Sequence, residues 1–273
     1  MDKAAHASNP SDISEQALVE RMKGFTIGGH VYYLADVDST NAYAFKLAVQ
    51  GAPHGTVVVA DRQTKGRGRL NRTWESPPGC NIYTSLILRP EISIAAAPRI
   101  TLLAGAAVAE TVDAFCPGQV TLKWPNDVQI RGKKVCGILT EMRSTASGID
   151  CVIVGIGINV NMSLADIGAD VRDIATSLKE SAGMRFSRLD VLARLLTVFE
   201  RWYGVFLKEG FAQVRAEWLK YFDMAGKDIR ITFKDEIQTG KVAGIDDDGA
   251  LLVTDSGGAL RRILAGDASI VKE

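Results

Sequence analysis

One short segment of the chain concentrates cationic side chains between glycines. It reads QTKGRGRLNR and occupies residues 63–72. Guanidinium groups and backbone N–H groups that converge in this way bind a phosphate or a carboxylate. A dinucleotide-binding glycine fingerprint is rejected, because Asn71 stands where the last glycine belongs and the segment is too polar to open a helix. A solvated basic turn is the structural alternative.

A second polar motif, KWPND at residues 123–127, ends a predicted strand. Its lysine offers a cation, and its amide and carboxylate suit a base, a ribose or Mg²⁺, although Pro-Asn-Asp is also a common turn. Lys134 begins an apolar strand, where a lysine is costly unless it meets an anion. Neighbouring side chains point to opposite faces of a strand, so we expect one of Lys133 and Lys134 to be solvated and the other to face a ligand.

Two glycines alternate in the third motif, GIGIN at residues 155–159. Glycine weakens a strand unless another group must approach the backbone closely. The pattern therefore predicts either a flat ligand against the sheet or a crowded contact with a helix.

The elements that must position these motifs form a mixed α/β domain followed by a small β domain. The apolar strand 151–159 is predicted to be central. The turn at 246–249 is a hairpin signal, and the short strands after residue 222 indicate a small β-barrel. Helices are predicted at 11–25 (with Ser14 as its cap), 41–50 (capped by Ser39 or Thr40), 98–115, 190–206 and 211–221. Strands are predicted at 30–35, 56–60, 81–88 (alternating), 120–124, 128–130, 134–141, 151–159, 229–233, 238–245, 250–254 and 260–264. The domains are residues 1–28 (a tail and one helix, whose packing stays open), 29–223 and 224–273.

Composition narrows the function classes. The 273 residues contain 32 Lys and Arg against 32 Asp and Glu, so the basic excess of a long nucleic-acid surface is missing. The four cysteines and three histidines lack paired spacing, which argues against a zinc site and a disulfide framework. Residues 1–12 are small and polar and are predicted to be disordered. Without an apolar signal core or a membrane-length apolar run, a soluble, cytoplasmic protein is predicted.

Taken together, these motifs resemble those of the biotin protein ligases, also called biotin–acetyl-CoA-carboxylase ligases. The resemblance covers residues 30–273 in the family's order. It implies an α+β fold, in which a mixed β-sheet flanked by helices (the class II synthetase-like biotin/lipoate ligase catalytic fold) precedes an SH3-like barrel. The matching motifs are DSTN at 38–41, the GRGR loop at 66–69 with Gln63 before it and Trp74 after it, KWPND at 123–127, Lys134 with GIL at 137–139, GIGIN at 155–159 and ATSL at 175–178.

The resemblance also implies residue roles. Lys134, Arg67 and Arg69 correspond to the catalytic residues. The implied biotin site consists of Ser39, Thr40, Asn41, Gln63, Gly66, Arg67, Gly68, Arg69, Lys134, Gly137, Gly155 and Gly157. The implied ATP and adenylate site consists of Trp74, Lys123, Asn126, Asp127 and Asn159, with Mg²⁺ near Asp127. The chain departs from the family at Asn71, where many relatives have glycine, and at Cys136, which is often alanine.

The implied reaction joins biotin to ATP and transfers it to a lysine of a biotin carboxyl carrier protein or domain. A lipoate or octanoate ligase is disfavoured by the Gly-Arg-Gly-Arg loop, and a non-catalytic biotin sensor by Lys134 and Arg67. A repressor with an N-terminal winged helix is disfavoured because only 38 residues precede Ser39 and they contain one clear helix, so we expect no DNA binding. Pairing of edge strands in a homodimer and a monomer both stay open.

Overall fold

The computed structural model describes residues 13–166, 168–233 and 236–271, and the predicted disordered tail lies outside them. The predicted helices and strands are present, most with small changes at their ends. The helix predicted at 11–25 is shorter, Glu15–Arg21, and residues 11 and 12 lie outside the described residues. The helices are α1 (Glu15–Arg21), α2 (Thr40–Val49), α3 (Arg99–Asp113), α4 (Ala169–Arg172), α5 (Leu178–Ala182), α6 (Arg188–Glu209) and α7 (Ala212–Lys220). The strands are β1 (His30–Val37), β2 (Thr56–Gln63), β3 (Ile82–Leu88), β4 (Val120–Lys123), β5 (Asp127–Ile130), β6 (Lys133–Thr145), β7 (Gly148–Ile158), β8 (Asp228–Phe233), β9 (Glu236–Ile245), β10 (Leu251–Thr254), β11 (Leu260–Ile263) and β12 (Asp267–Ile270).

The first seven strands form one mixed sheet in the order β1-β2-β3-β7-β6-β5-β4. The β1–β2 pair is parallel and the pairs that follow are antiparallel. The apolar strand β7 occupies the middle, as its composition predicted. The predicted alternation of β3 is wrong, because all seven of its residues are buried. Helices cover both faces of the sheet there, so neither set of side chains meets solvent.

Two helical layers enclose this sheet. On one face α2 packs against β2, β3 and β7. On the other face α3 packs against β4, β6 and α6, and its small Ala and Gly side chains let these elements approach closely. Within the described residues, Ile94–Asp113 is apolar and long enough to cross a membrane, but 67% of its most apolar window is buried in the protein. That burial is typical of a core helix.

The N-terminal helix α1 packs on this core. Ser14 caps it by accepting a hydrogen bond from Ala17 N, as predicted. Leu18 and Met22 are buried, and Arg21 forms an ion pair of 2.5 Å with Asp190 at the start of α6. Apolar burial therefore holds the segment in place.

The C-terminal strands form an antiparallel sheet in the order β11-β10-β9-β8-β12, and this domain is SH3-like. Sequence analysis missed β12, because the strand is short and its sequence, DASI, does not alternate clearly. The predicted turn before β10 is confirmed: Asp246 accepts hydrogen bonds from Asp248 N and Ala250 N. The domain contacts the larger, N-terminal domain where Trp124 Nε1 donates to Gly249 O at 3.1 Å.

Candidate active site

A buried group of amides and hydroxyls joins the start of α2 to the sheet. Gln63 Oε1 accepts hydrogen bonds from Thr40 N at 2.9 Å and from Thr40 Oγ1 at 3.1 Å. The Ser85 hydroxyl lies 2.9 Å from Thr40 Oγ1 and 2.6 Å from Asn41 Oδ1. Asn41 Nδ2 donates to Leu139 O. We call Gln63, Thr40, Ser85 and Asn41 the amide–hydroxyl network.

Sequence analysis missed Ser85 as a site residue. The available signal was a hydroxyl in a strand that is otherwise rich in large apolar residues. A buried hydroxyl needs a partner, so its presence indicated a polar contact inside the core. Ser39 is the N-cap residue of α2, but its side chain makes no capping hydrogen bond, which corrects that part of the prediction.

The alternate glycines of β7 make room for side chains of this protein. A Cβ on Gly155 would lie 2.0 Å from Asn41 Oδ1, so α2 approaches the sheet closely at this point. A Cβ on Gly157 would lie 2.7 Å from the Trp74 indole, and one on Gly137 would lie 2.9 Å from it. At Gly155 the glycine is therefore needed for a crowded contact with a helix, which was one of the two predicted alternatives. At Gly157 the flat group that lies against the sheet is the Trp74 indole.

The basic segment folds into a small hairpin. Gly68 N donates to Arg72 O at 2.7 Å, and Trp74 N donates to Gly66 O at 3.0 Å. A Cβ on Gly66 would lie 2.3 Å from Trp74 O, so only glycine fits there. At the tip, Leu70 and Asn71 have φ angles of +53° and +58°. Glycine and asparagine tolerate this conformation, which explains how Asn71 substitutes for the family's glycine, whereas leucine adopts it at a cost of about 1–2 kcal/mol.

The arginines of this hairpin reach the catalytic sheet and the C-terminal domain. Arg69 Nη1 donates to Asn126 Oδ1 at 2.8 Å, and its Nη2 donates to Gly266 O at 2.9 Å. Asp267 forms an ion pair of 2.6 Å with Arg72 and lies 3.8 Å from Lys123. Burial lowers the pKa of Arg69 and the nearby aspartates oppose the shift, so the guanidinium remains charged at neutral pH.

Sequence analysis gave the C-terminal domain no site residue. Gly266 and Asp267 lie about two hundred positions from the hairpin in sequence, and only the docking of the two domains brings them to Arg69 and Arg72. The domain therefore helps to hold the arginine hairpin.

Lys133 is exposed, as expected for one lysine of the pair, whereas Lys134 is half-buried. That Lys134 faces a ligand stays a prediction. Its Nζ lies 2.6 Å from Asp127 Oδ1 and 5.4 Å from the centre of the Trp74 ring. Asp127 and the aromatic face both stabilise the positive charge. We call Lys123, Lys134, Arg69 and Arg72, with the carboxylates of Asp127 and Asp267, the cationic cluster. Its four cations exceed its two anions, which suits a polyanionic ligand.

Asn159 stands behind this cluster. It is 5% exposed, and its Nδ2 donates to Thr176 O at 3.0 Å while its Oδ1 lies 3.4 Å from Asn81 Nδ2. The chain beside Thr176 pairs with Lys134, since Lys134 N donates to Ile174 O at 2.8 Å. Asn159 therefore fastens the segment that supports Lys134, and its predicted contact with the nucleotide stays a prediction.

The residues suit a metal that arrives with a nucleotide better than a metal held by the protein alone. In the part of the chain that the structure describes, no group of three His, Cys, Asp or Glu side chains is placed to hold a metal ion. Mg²⁺ commonly binds one or two carboxylates together with substrate phosphates, and Asp127 provides such a carboxylate.

Comparison with known proteins agrees with this geometry. Residues 33–159 match the model of the biotin/lipoate A/B protein ligase family, and residues 225–271 match that of the biotin protein ligase C-terminal domain. The bifunctional ligase/repressor BirA of Bacillus spizizenii is 40% identical over 261 residues, an alignment that covers 96% of this chain and 80% of that relative. This chain belongs to the biotin protein ligase family.

Two further relatives of this ligase extend the comparison. The biotin–[acetyl-CoA-carboxylase] ligase of Paracoccus denitrificans is 36% identical over 225 residues, covering 81% of this chain and 92% of that relative. Among solved structures, the Aquifex aeolicus biotin protein ligase in complex with biotin and ATP aligns with a TM-score of 0.77 and 33% identity, covering 89% of this chain and 99% of that one. The predicted fold class is therefore confirmed.

Proposed function

We propose that this ligase joins biotin to ATP, releasing pyrophosphate, and then transfers biotin from biotinyl-5′-AMP to a lysine of a biotin carboxyl carrier protein or domain. The observation that carries the proposal is the convergence of the cationic cluster with the amide–hydroxyl network at one hairpin. The network suits a neutral polar head group, and the cluster suits phosphates.

The first step brings two anions together. A carboxylate oxygen of biotin attacks the α-phosphorus of ATP, a new P–O bond forms, and the bond to pyrophosphate breaks. Lys134 and Arg69 are placed to offset the repulsion and the charge that develops on the phosphoryl oxygens. Lys134 uses one direction of its ammonium for Asp127, and its further N–H donors can bind the arriving phosphate. Holding both reactants in place lowers the barrier by about 7–11 kcal/mol.

The biotin site of this proposal is built on the residues that the resemblance implied. Thr40 and Gln63 are fixed by hydrogen bonds to each other, and Asn41 is fixed by the bond it accepts from Ser85, so their remaining polar atoms point in defined directions. Ser39 and the backbone of Gly68 complete the pocket in this proposal. Beside this pocket, Gly155 lets the Asn41 amide lie against the sheet, and Gly137 and Gly157 do the same for the Trp74 indole.

The nucleotide site of this proposal lies on the other side of the hairpin. Trp74, Lys123, Asn126 and Asn159 surround the position assigned to the adenylate. Asp127 would hold Mg²⁺ together with the phosphates, and the ion would neutralise phosphate charge.

The second step needs protection of biotinyl-5′-AMP from water. In this proposal Arg67 and Arg69 hold the hairpin over the mixed anhydride until the acceptor arrives. The acceptor lysine attacks the biotin carbonyl as a neutral amine, the bond to AMP breaks, and the amine loses a proton. We place the reaction in the cytoplasm, where ATP and a carboxylase acceptor are available.

The oligomeric state belongs to the same proposal. Strand β1 is an edge of the large sheet, whereas β4 at the other edge donates from Leu122 N to Tyr221 O. Analytical ultracentrifugation tests a homodimer formed through β1. A mass of two chains would support it, and a mass of one chain would exclude it under those conditions.

Pyrophosphate release tests the function directly. Purified protein with ATP and Mg²⁺ is given biotin, lipoate or octanoate in separate reactions. We expect release with biotin alone. Pyrophosphate release with lipoate or octanoate would show that the protein is a ligase for that acid instead. No pyrophosphate release by the folded protein with any of the three acids would contradict the ligase proposal.

A further inference from the structure

Glu141, which is not among the site residues implied by the resemblance, contacts both the start of α2 and the arginine hairpin. Glu141 lies on β6, and its Oε2 accepts a hydrogen bond from Asn41 Nδ2 at 2.7 Å. The same oxygen lies 3.4 Å from Arg67 Nη2. Leu139 and Glu141 also line the cavity of the arginine hairpin from the sheet side. Glu141 thus bridges the start of α2 and the hairpin.

The contact with Asn41 settles which way that amide faces. Both Nδ2 hydrogens of Asn41 are used, one by Leu139 O at 3.1 Å and one by Glu141. A rotated amide would direct Oδ1 at these two acceptors and lose both bonds. Asn41 Oδ1 is also confined beside Ser85 and over Gly155. Asn41 therefore has no hydrogen left for a ligand, whereas its Oδ1, which accepts from Ser85, keeps a second lone pair for a further donor.

The contact with Arg67 is of a different kind. The Arg67 side chain is 50% exposed and that of Glu141 is 34% exposed, and ion pairs of this exposure contribute little to stability. An anionic ligand can therefore take Arg67 from Glu141 at little cost, while the hydrogen bond to the 4% exposed Asn41 persists.

We propose that Glu141 is a positioning residue of the biotin site, which holds Asn41 with its oxygen toward an N–H group of the ligand and keeps Arg67 at the pocket while the site is empty. The proposal rests on the ligase function given above. The ligand feature it names is a hydrogen-bond donor, and the ureido ring of biotin has two.

Three substitutions separate the two contacts. Glu141→Ala removes both, whereas Glu141→Gln keeps an oxygen for Asn41 and removes the charge beside Arg67. Glu141→Asp keeps the charge on a shorter side chain. Asp36→Asn is the matched control, because Asp36 forms a half-exposed pair of 3.6 Å with Arg62 on the same sheet, outside the site.

The measurement is KM for biotin and kcat in pyrophosphate release, with Tm as a check on folding. Loss of a hydrogen bond to a charged group predicts that Glu141→Ala raises KM for biotin about 10- to 100-fold, with kcat and KM for ATP nearly unchanged. Glu141→Gln should recover most of that loss, and Asp36→Asn should behave as wild type. In the Asn41→Ala background, Glu141→Ala should have no further effect on KM.

Two results would overturn the inference while leaving the ligase function intact. One is an active Glu141→Ala protein with a wild-type KM for biotin. The other is full additivity of Glu141→Ala with Asn41→Ala, which would mean that Glu141 does not act through Asn41. Absence of activity in the wild-type protein would instead contradict the ligase function itself, so the two failures are distinguishable.

Discussion

The amide–hydroxyl network and the cationic cluster differ in burial. Thr40, Asn41 and Ser85 are at most 4% exposed. In the cluster, the paired side chains range from 17% exposed for Asp127 to 69% exposed for Arg72. Buried neutral polar groups are costly unless paired, so they are fixed before a ligand arrives. Half-exposed ion pairs are weak and exchange with incoming anions. The ligase thus combines a rigid recognition region with an exchangeable electrostatic region.

The largest effect is expected in the cationic cluster. Lys134→Ala should lower the rate of pyrophosphate release by about 10³-fold or more, because the charge on the phosphoryl oxygens loses its nearest cation. Rapid-quench measurement of adenylate formation checks this. Lys133→Ala, an exposed neighbour on the opposite face, is the control and should keep wild-type rates. A near-normal rate in Lys134→Ala would remove the lysine from the mechanism.

The next effect tests whether the hairpin retains the intermediate. Arg69→Ala loses the hydrogen bonds to Asn126 and Gly266, so biotinyl-5′-AMP should leave about 10- to 100-fold faster and biotinylate lysines of unrelated proteins. Gel filtration of enzyme loaded with labelled biotin measures retention, with Arg62→Ala as the control. If Arg69→Ala keeps the adenylate as long as wild type does, the closing role is wrong.

A smaller effect is expected in the rigid region. Ser85→Ala leaves Asn41 Oδ1 and Thr40 Oγ1 without their shared partner, so KM for biotin should rise about tenfold and the free energy of unfolding should fall by about 1–3 kcal/mol. Calorimetry of biotin binding and urea unfolding check the two effects. Thr84→Val is the control, because Thr84 bonds Val58 O away from Asn41. Thr84→Val should lower the free energy of unfolding without changing biotin binding. Equal loss of biotin binding in both variants would contradict a specific role of Ser85 in the biotin site.

The smallest effect is expected at the domain junction. Asp267→Asn weakens the contacts to Arg72 and Lys123, and we expect KM for ATP to change about threefold or less, most clearly at low ionic strength. Asp223→Asn, which removes a half-exposed pair with Lys227, is the control. A change of a hundredfold would show that the junction is as rigid as the buried network.

The sequence alone determined much of this architecture. Periodicity and apolar runs located the longer helices and the central strand β7, since the spacing of apolar residues is a local property of the sequence. The short helices α4 and α5 were missed. The resemblance to the biotin protein ligases, and not the spacing of the motifs, placed the basic segment, Asp127 and Lys134 in one expected site. The short polar strand β12 carried too little local signal to be recognised.

Only the tertiary structure decided which polar groups meet. Ser85, Glu141 and Asp267 looked like ordinary strand or turn residues in the sequence, and each lies at least 44 positions from the partner it contacts across the site. Such pairs depend on strand order, register and domain docking, because hydrogen bonds and ion pairs act only over a few ångströms. The chemistry of the site could thus be predicted from residue types, whereas its rigid and exchangeable parts were set by burial in the fold.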